Sequence, residues 1–122
     1  MLTRFSKNIR PFVLAELQLA QTARNAGQFQ NEFSHLENAH VLGQQSTYWH
    51  TKVHIMMLLW AFRQRQRGEA LGQFMRIIGA ATKTALGWVP SGNTGGSNIS
   101  PFKTLPIKAE HQRIIARARS AD

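Results

Sequence analysis

Large apolar residues recur along most of this chain at spacings of three and four, as they do in helices with one buried face. No stretch before residue 88 alternates apolar with polar as a strand would. Residues 11 to 26 read as a first helix, with Pro11 suited to a first helical position and Gly27 a natural stop. Residues 28 to 42 read as a second, ending at Gly43. Along it Phe29, Phe33, Leu36 and His40 are spaced by four, three and four, so His40 continues an apolar stripe. Ser46 or Thr47 can cap a third helix that reaches about residue 66. It is apolar on several faces, through Val53, Ile55, Met56, Met57, Leu58, Leu59, Trp60 and Phe62, and is expected to be the most buried. A fourth helix runs from Gly68 to Gly87, with Leu71, Phe74 and Ile78 in one stripe and Ala70, Ile77 and Ala81 in an adjoining one.

After it the composition shifts. Pro90, Gly92, Gly95 and Gly96 mark a turn-rich loop over residues 88 to 100, and Pro101 and Pro106 keep residues 102 to 107 extended. Residues 108 to 122 hold a short basic helix around Ile114 and Ile115, with a fraying end. The expected fold is all-α: two antiparallel helical hairpins, then a Gly/Pro-rich loop, an extended segment and the C-terminal helix. Residues 1 to 122 are expected to form one domain, with a helical core over 11 to 87. Ala23, Gly27, Phe29, Leu36 and Ala39 resemble the tetratricopeptide helix pair, in which small residues let two helices approach closely. The second pair fits that pattern less well, with Arg65 where glycine is expected. Two repeats are too few for a free-standing solenoid, so a compact four-helix arrangement with the C-terminal segment covering an end is expected.

Charge adds a second layer. Of 15 Lys and Arg, three lie in residues 1 to 10, two in 11 to 62, five in 63 to 83 and five in 103 to 122, so the net charge of +9 is peripheral. Such a surface attracts any polyanion without selecting one. Arg63, Arg65 and Arg67 are its densest group, a candidate surface for a protein partner or, with less support, nucleic acid. A homo-oligomer is a further expectation. The chain has no Cys, which removes disulfides, thiolate metal sites and thiol catalysis together. Its longest apolar run, Ile55 to Phe62, falls far short of the ~20 residues that cross a bilayer. The N-terminal stretch lacks a cleavage pattern, so a cytoplasmic location is expected.

The middle of the chain carries the candidate chemistry. His50 and His54 are four apart on the third helix, so both rings leave one face and can reach one cation. A first turn near residue 28 pairs Glu16 with His40, and a second near residue 45 pairs His40 with His50, so three helices converge at one level. Glu16, His40, His50 and His54 thereby form a candidate first shell for zinc or another divalent transition metal: nickel, cobalt, copper or iron. Glu37, His35 and Glu32 are candidate supports, and Glu32 with His35 forms a second Glu-x-x-His pair. The competing reading is a metal-free buried network in which Glu16 accepts from one or two histidines. His111 is expected at the surface. The serines form no convincing triad, and a hydrolase using a metal-bound water ranks behind metal binding and partner binding, so the sequence leans away from an enzyme without deciding it. The loop from Ser91 to Gly96 lacks the Lys and following Ser or Thr of a phosphate loop.

Three separated motifs carry a resemblance. They are His35-Leu36-Glu37-x-Ala39-His40-x-Leu42-Gly43-Gln44, then His50-x-x-Val53-His54-x-x-Met57-Leu58, then Ala85-Leu86-Gly87-Trp88-Val89-Pro90-x-Gly92-Asn93-Thr94-Gly95-Gly96. Over residues 11 to 107 the chain resembles a small bacterial family, domain of unknown function 3703. The resemblance implies a short, mostly helical cytoplasmic protein and supplies no activity. It sets Glu16, His35, Glu37, His40, His50 and His54 on the family's polar motif positions, and leaves the tail after Ile107 outside the pattern.

Overall fold

A computed structural model describes residues 3–86, 93–96 and 104–120. Five helices account for most of them, and no strand occurs among the described residues: α1 (Arg4–Asn25), α2 (Phe29–Gly43), α3 (Thr47–Arg63), α4 (Arg67–Leu86) and α5 (Ala109–Ser120). The fold is all-α. Most of the expected Gly/Pro-rich loop, including Trp88 and Pro90, and the start of the extended segment lie outside the described residues. Asn93 to Gly96 and residues 104 to 108 are described, and neither piece is helical.

Local chemistry sets the helix ends. α1 starts seven residues before Pro11 because Thr3 caps it, its Oγ1 accepting from the Ser6 N–H at 3.1 Å. Pro11 thus lies inside the helix, and the Lys7 carbonyl goes without its intrahelical donor. α1 ends in a left-handed Gly27 (φ +72°), with the Gln28 N–H reaching back to the Ala23 carbonyl at 2.8 Å. Ser46 caps α3, its Oγ accepting from the Trp49 N–H. α3 closes with the same backbone bond, from the Gln66 N–H to the Ala61 carbonyl at 2.8 Å, but here Arg65 occupies the left-handed position (φ 56°).

α1 packs along α2 and α3 along α4, with α2 and α3 joining the two pairs. Ile9, Val13, Leu17 and Ala20 of α1 meet Leu36, Ala39 and Leu42 of α2 and Trp49, Val53, Met57 and Trp60 of α3 in one core. Two tryptophans tie the layers through their indole N–H groups: Trp49 donates to the Ser6 carbonyl and Trp60 to the Phe29 carbonyl, both at 2.9 Å. α5 is well formed and docks on α1 and α2. Ile115 and Ala118 enter the core, and Asn8 Nδ2 donates to the Ala118 carbonyl at 2.9 Å. His111, expected at the surface, is buried in this contact.

One expectation reverses on α4. Its stripe of Leu71, Phe74 and Ile78 faces outward, while Ala70, Gln73 and Ala80 face the protein. A period of 3.6 identifies the stripe but not the side that is covered.

Candidate metal centre

Three helix-borne imidazoles meet inside the protein. His40 comes from the last turn of α2, and His50 and His54 from one face of α3. All three are buried, at 2%, 7% and 3% exposure. The His40 and His54 Nε2 atoms are 3.1 Å apart and the His54 and His50 Nε2 atoms 3.2 Å. Among the described residues this is the one group of three or more His or carboxylate side chains whose ligand atoms all lie within 4.8 Å of one another.

Backbone and amide oxygens fix two of the tautomers. His40 Nδ1 lies 2.6 Å from the Asn93 carbonyl, so that nitrogen must carry the proton. His54 Nδ1 lies 2.6 Å from Gln73 Oε1. The Gln73 amide cannot be reversed, because its Nε2 donates to the Gly95 carbonyl at 2.8 Å and to Glu69 Oε2 at 2.5 Å. Both inward Nε2 atoms therefore present lone pairs. In a neutral cluster His50 can donate one proton to His54, but nothing is left to place between His40 and His54. Charging a ring is costly here. Burial holds the His40 imidazole well below the ordinary histidine value, the His54 and His50 rings and Arg76 push the same way, and the Asn93 carbonyl opposes them.

The segment from Asn93 to Gly96 closes the cluster. Asn93 is buried and its Oδ1 accepts from the Gly95 N–H at 2.8 Å. Arg76 of α4 donates to the carbonyls of Gly95 (2.9 Å) and Gly96. Gly95 has φ +87°, and a Cβ there would stand 2.5 Å from His40 Cδ2. The ring can reach Asn93 only because position 95 has no side chain.

The other predicted ligands lie elsewhere. Glu16 does not meet His40. Its Oε1 accepts from His35 Nδ1 and from Asn38 Nδ2, both at 2.9 Å, on the face of the α1/α2 pair where α5 docks and near His111. α1 buries the line through Ile9, Val13 and Leu17, which leaves Glu16 one step to its side. His35 is taken up by Glu16, five residues and roughly 140° of helix from His40. Glu32 is buried and pairs with Arg63, with its Oε1 unpartnered. Glu37 approaches the closing segment instead. Burial raises its pKa, the Thr94 hydroxyl opposes this, Glu69 adds to the rise and Lys108 lowers it. Of the arginine group, Arg63 is committed to Glu32, Arg65 forms the α3/α4 turn and Arg67 begins α4. Sequence reasoning missed Gln73, Arg76 and the Asn93 carbonyl. Gln73 looks like any polar helix residue, and a carbonyl leaves no trace in a side-chain pattern; the nearest signal was the Gly-rich motif from Gly92 to Gly96.

Three buried imidazoles, two of them with their outer N–H groups held by oxygens and their Nε2 lone pairs turned inward, form a donor set suited to a borderline divalent ion. No curated protein and no solved structure matches the chain. A family model described as a protein of unknown function (DUF3703) matches residues 7–115, which takes in the three histidines, the closing segment and the first half of α5, so the chain belongs to the DUF3703 family.

Proposed function

We propose that this protein binds one divalent transition-metal ion through the Nε2 atoms of His40, His50 and His54. The observation that carries the reading is the pair of inward lone pairs on His40 and His54 at 3.1 Å, with both outer nitrogens committed as donors. Without an ion this contact is repulsive; a cation between the rings turns it into coordination. Nitrogens held at ~2.0–2.1 Å by a tetrahedral ion stand about 3.3–3.4 Å apart. The spacings of 3.1 and 3.2 Å need only a small expansion, and the third pair, His40 with His50, lies within 4.8 Å and has to come to the same separation.

Zinc, copper, nickel, cobalt and iron suit three imidazoles; magnesium and calcium do not. Glu69 polarises the Gln73 amide that holds His54, which raises the basicity of that ring toward an ion. The Glu69 carboxylate offsets the charge of Arg76 near the centre. Burial of all three rings favours retention, so the role that fits is metal handling, sensing or a structural ion. The test is metal analysis of protein purified without a nickel column, joined to melting curves with added zinc, copper or nickel. About one equivalent, or a rise in Tm on the order of 10 °C at saturating ion, is expected. Less than about a tenth of an equivalent together with no shift for any of the ions defeats the reading.

A further inference from the structure

The outward face of α4 carries the strongest unassigned feature. Among the described residues, α3 is the one helix against which α4 packs. Toward the protein it turns Ala70, Gln73 and Ala80; toward solvent it turns Leu71, Phe74, Met75 and Ile78, which are 55–66% exposed and spaced i, i+3, i+4 and i+7. A helix that seats its small residues inward and its large apolar ones outward has its main burial still to make. α3, the antiparallel neighbour, exposes Ile55, Leu59 and Phe62 at i, i+4 and i+7, between 43% and 63%.

We infer that the α3/α4 hairpin is the interface of a homodimer, pairing with the same hairpin of a second copy to form a four-helix layer. Area is the first argument. Seven large side chains each exposing about half their surface, on the order of 100 Å² apiece, amount to roughly 700 Å². That approaches the ~800 Å² that each partner brings to a standard interface and exceeds the ~300–600 Å² of the largest patch on a typical monomer. Charge is the second. Between Gly68 and Ala81 the only basic residue is Arg76, and its guanidinium is turned inward onto the Gly95 and Gly96 carbonyls. α4 therefore offers no cation along this stretch for anionic lipid headgroups, as a membrane-surface helix would. The apolar stripe of α4 carries no charge, so a two-fold axis along it brings no like charges together, while Lys52, at the end of the α3 stripe, has its ammonium over the Tyr48 and Trp49 rings. The inference stands apart from the metal reading, since these side chains are exposed while the three histidines are buried.

Light scattering after gel filtration, and sedimentation equilibrium, across about 1–100 µM full-length chain are expected to give twice the 13.8 kDa chain mass. Phe74→Glu with Ile78→Glu should give a single-chain mass with an unchanged helical circular dichroism spectrum. A cysteine reporter covers the case in which that double variant fails to fold. The chain has no Cys, so Met75→Cys under mild oxidation is expected to form a disulfide-linked dimer while Gln18→Cys, exposed on α1 and outside the α3/α4 hairpin, does not. A wild-type chain that stays monomeric throughout, including one that instead sediments with phosphatidylcholine/phosphatidylglycerol vesicles, overturns the inference. So does equal crosslinking of the two cysteine variants.

Discussion

His40 and His54 face each other through their Nε2 atoms at 3.1 Å while each ring gives its Nδ1–H to an oxygen on its far side, Asn93 O for one and Gln73 Oε1 for the other. α2 and α3 supply the rings, whereas α4 and the closing segment supply the oxygens. The centre thus exists only when four parts of the chain are in place together.

Gln73 should matter to metal affinity although it cannot touch the ion. Gln73→Met keeps most of the buried volume but removes the acceptor that orients His54. Zinc affinity measured by competition with a chromogenic chelator should fall by about 10–100-fold. Glu16→Gln, which disturbs the His35 and Asn38 contacts and the charge beside His111, should leave that affinity within about twofold. Equal losses in the two variants would place the ion somewhere other than the three histidines.

Gly95→Ala tests the close approach at the ring. Its Cβ would meet His40 Cδ2 at 2.5 Å and sit on a backbone of φ +87°. Chemical denaturation should show a loss of about 1–3 kcal/mol, with weaker metal binding. An unchanged midpoint would mean that the segment does not pack on His40.

His111 gives the metal-free protein a pH dependence. Burial lowers its pKa, Lys108 adds to the effect, and Glu16 and Glu110 oppose it. In the folded state the ring resists protonation, so the unfolded chain takes up the proton first as pH falls. Stability is then fully present above about pH 6.5 and declines as pH drops through the ordinary histidine value toward the lowered one. His40, lowered by its own burial, acts in the same direction. Urea midpoints between pH 8 and 5 should show the decline, and His111→Gln should flatten part of it. A midpoint that rises on acidification would contradict both shifts.

Arg65 holds a left-handed conformation (φ 56°) at the end of α3. That costs an L-residue roughly 1–2 kcal/mol, of which glycine returns about half after its larger entropy loss on folding. Arg65→Gly is therefore expected to stabilise the protein by about 0.5–1 kcal/mol in urea unfolding, with metal binding unaffected. A destabilised variant would show that the arginine side chain contributes more than its backbone strain removes.

Local pattern was enough for the helices and for part of the centre. Ser46 announced α3 and Gly27 the end of α1, because capping and left-handed turns depend on a few adjacent residues. His50 and His54 were legible as a pair because four residues make nearly one helical turn. His40 was legible as their partner because a short connection brings the end of α2 back beside the start of α3. Glu16 was misplaced because pairing across the α1/α2 turn needs both register and rotation, and each residue of error moves a side chain about 100° and 1.5 Å. It meets His35 and Asn38 instead. The outward stripe of α4, the burial of His111 under α5 and the oxygens that orient the rings all depend on which surfaces distant segments cover. Spacing along one chain carries the period of a helix, but not the direction in which the rest of the protein lies.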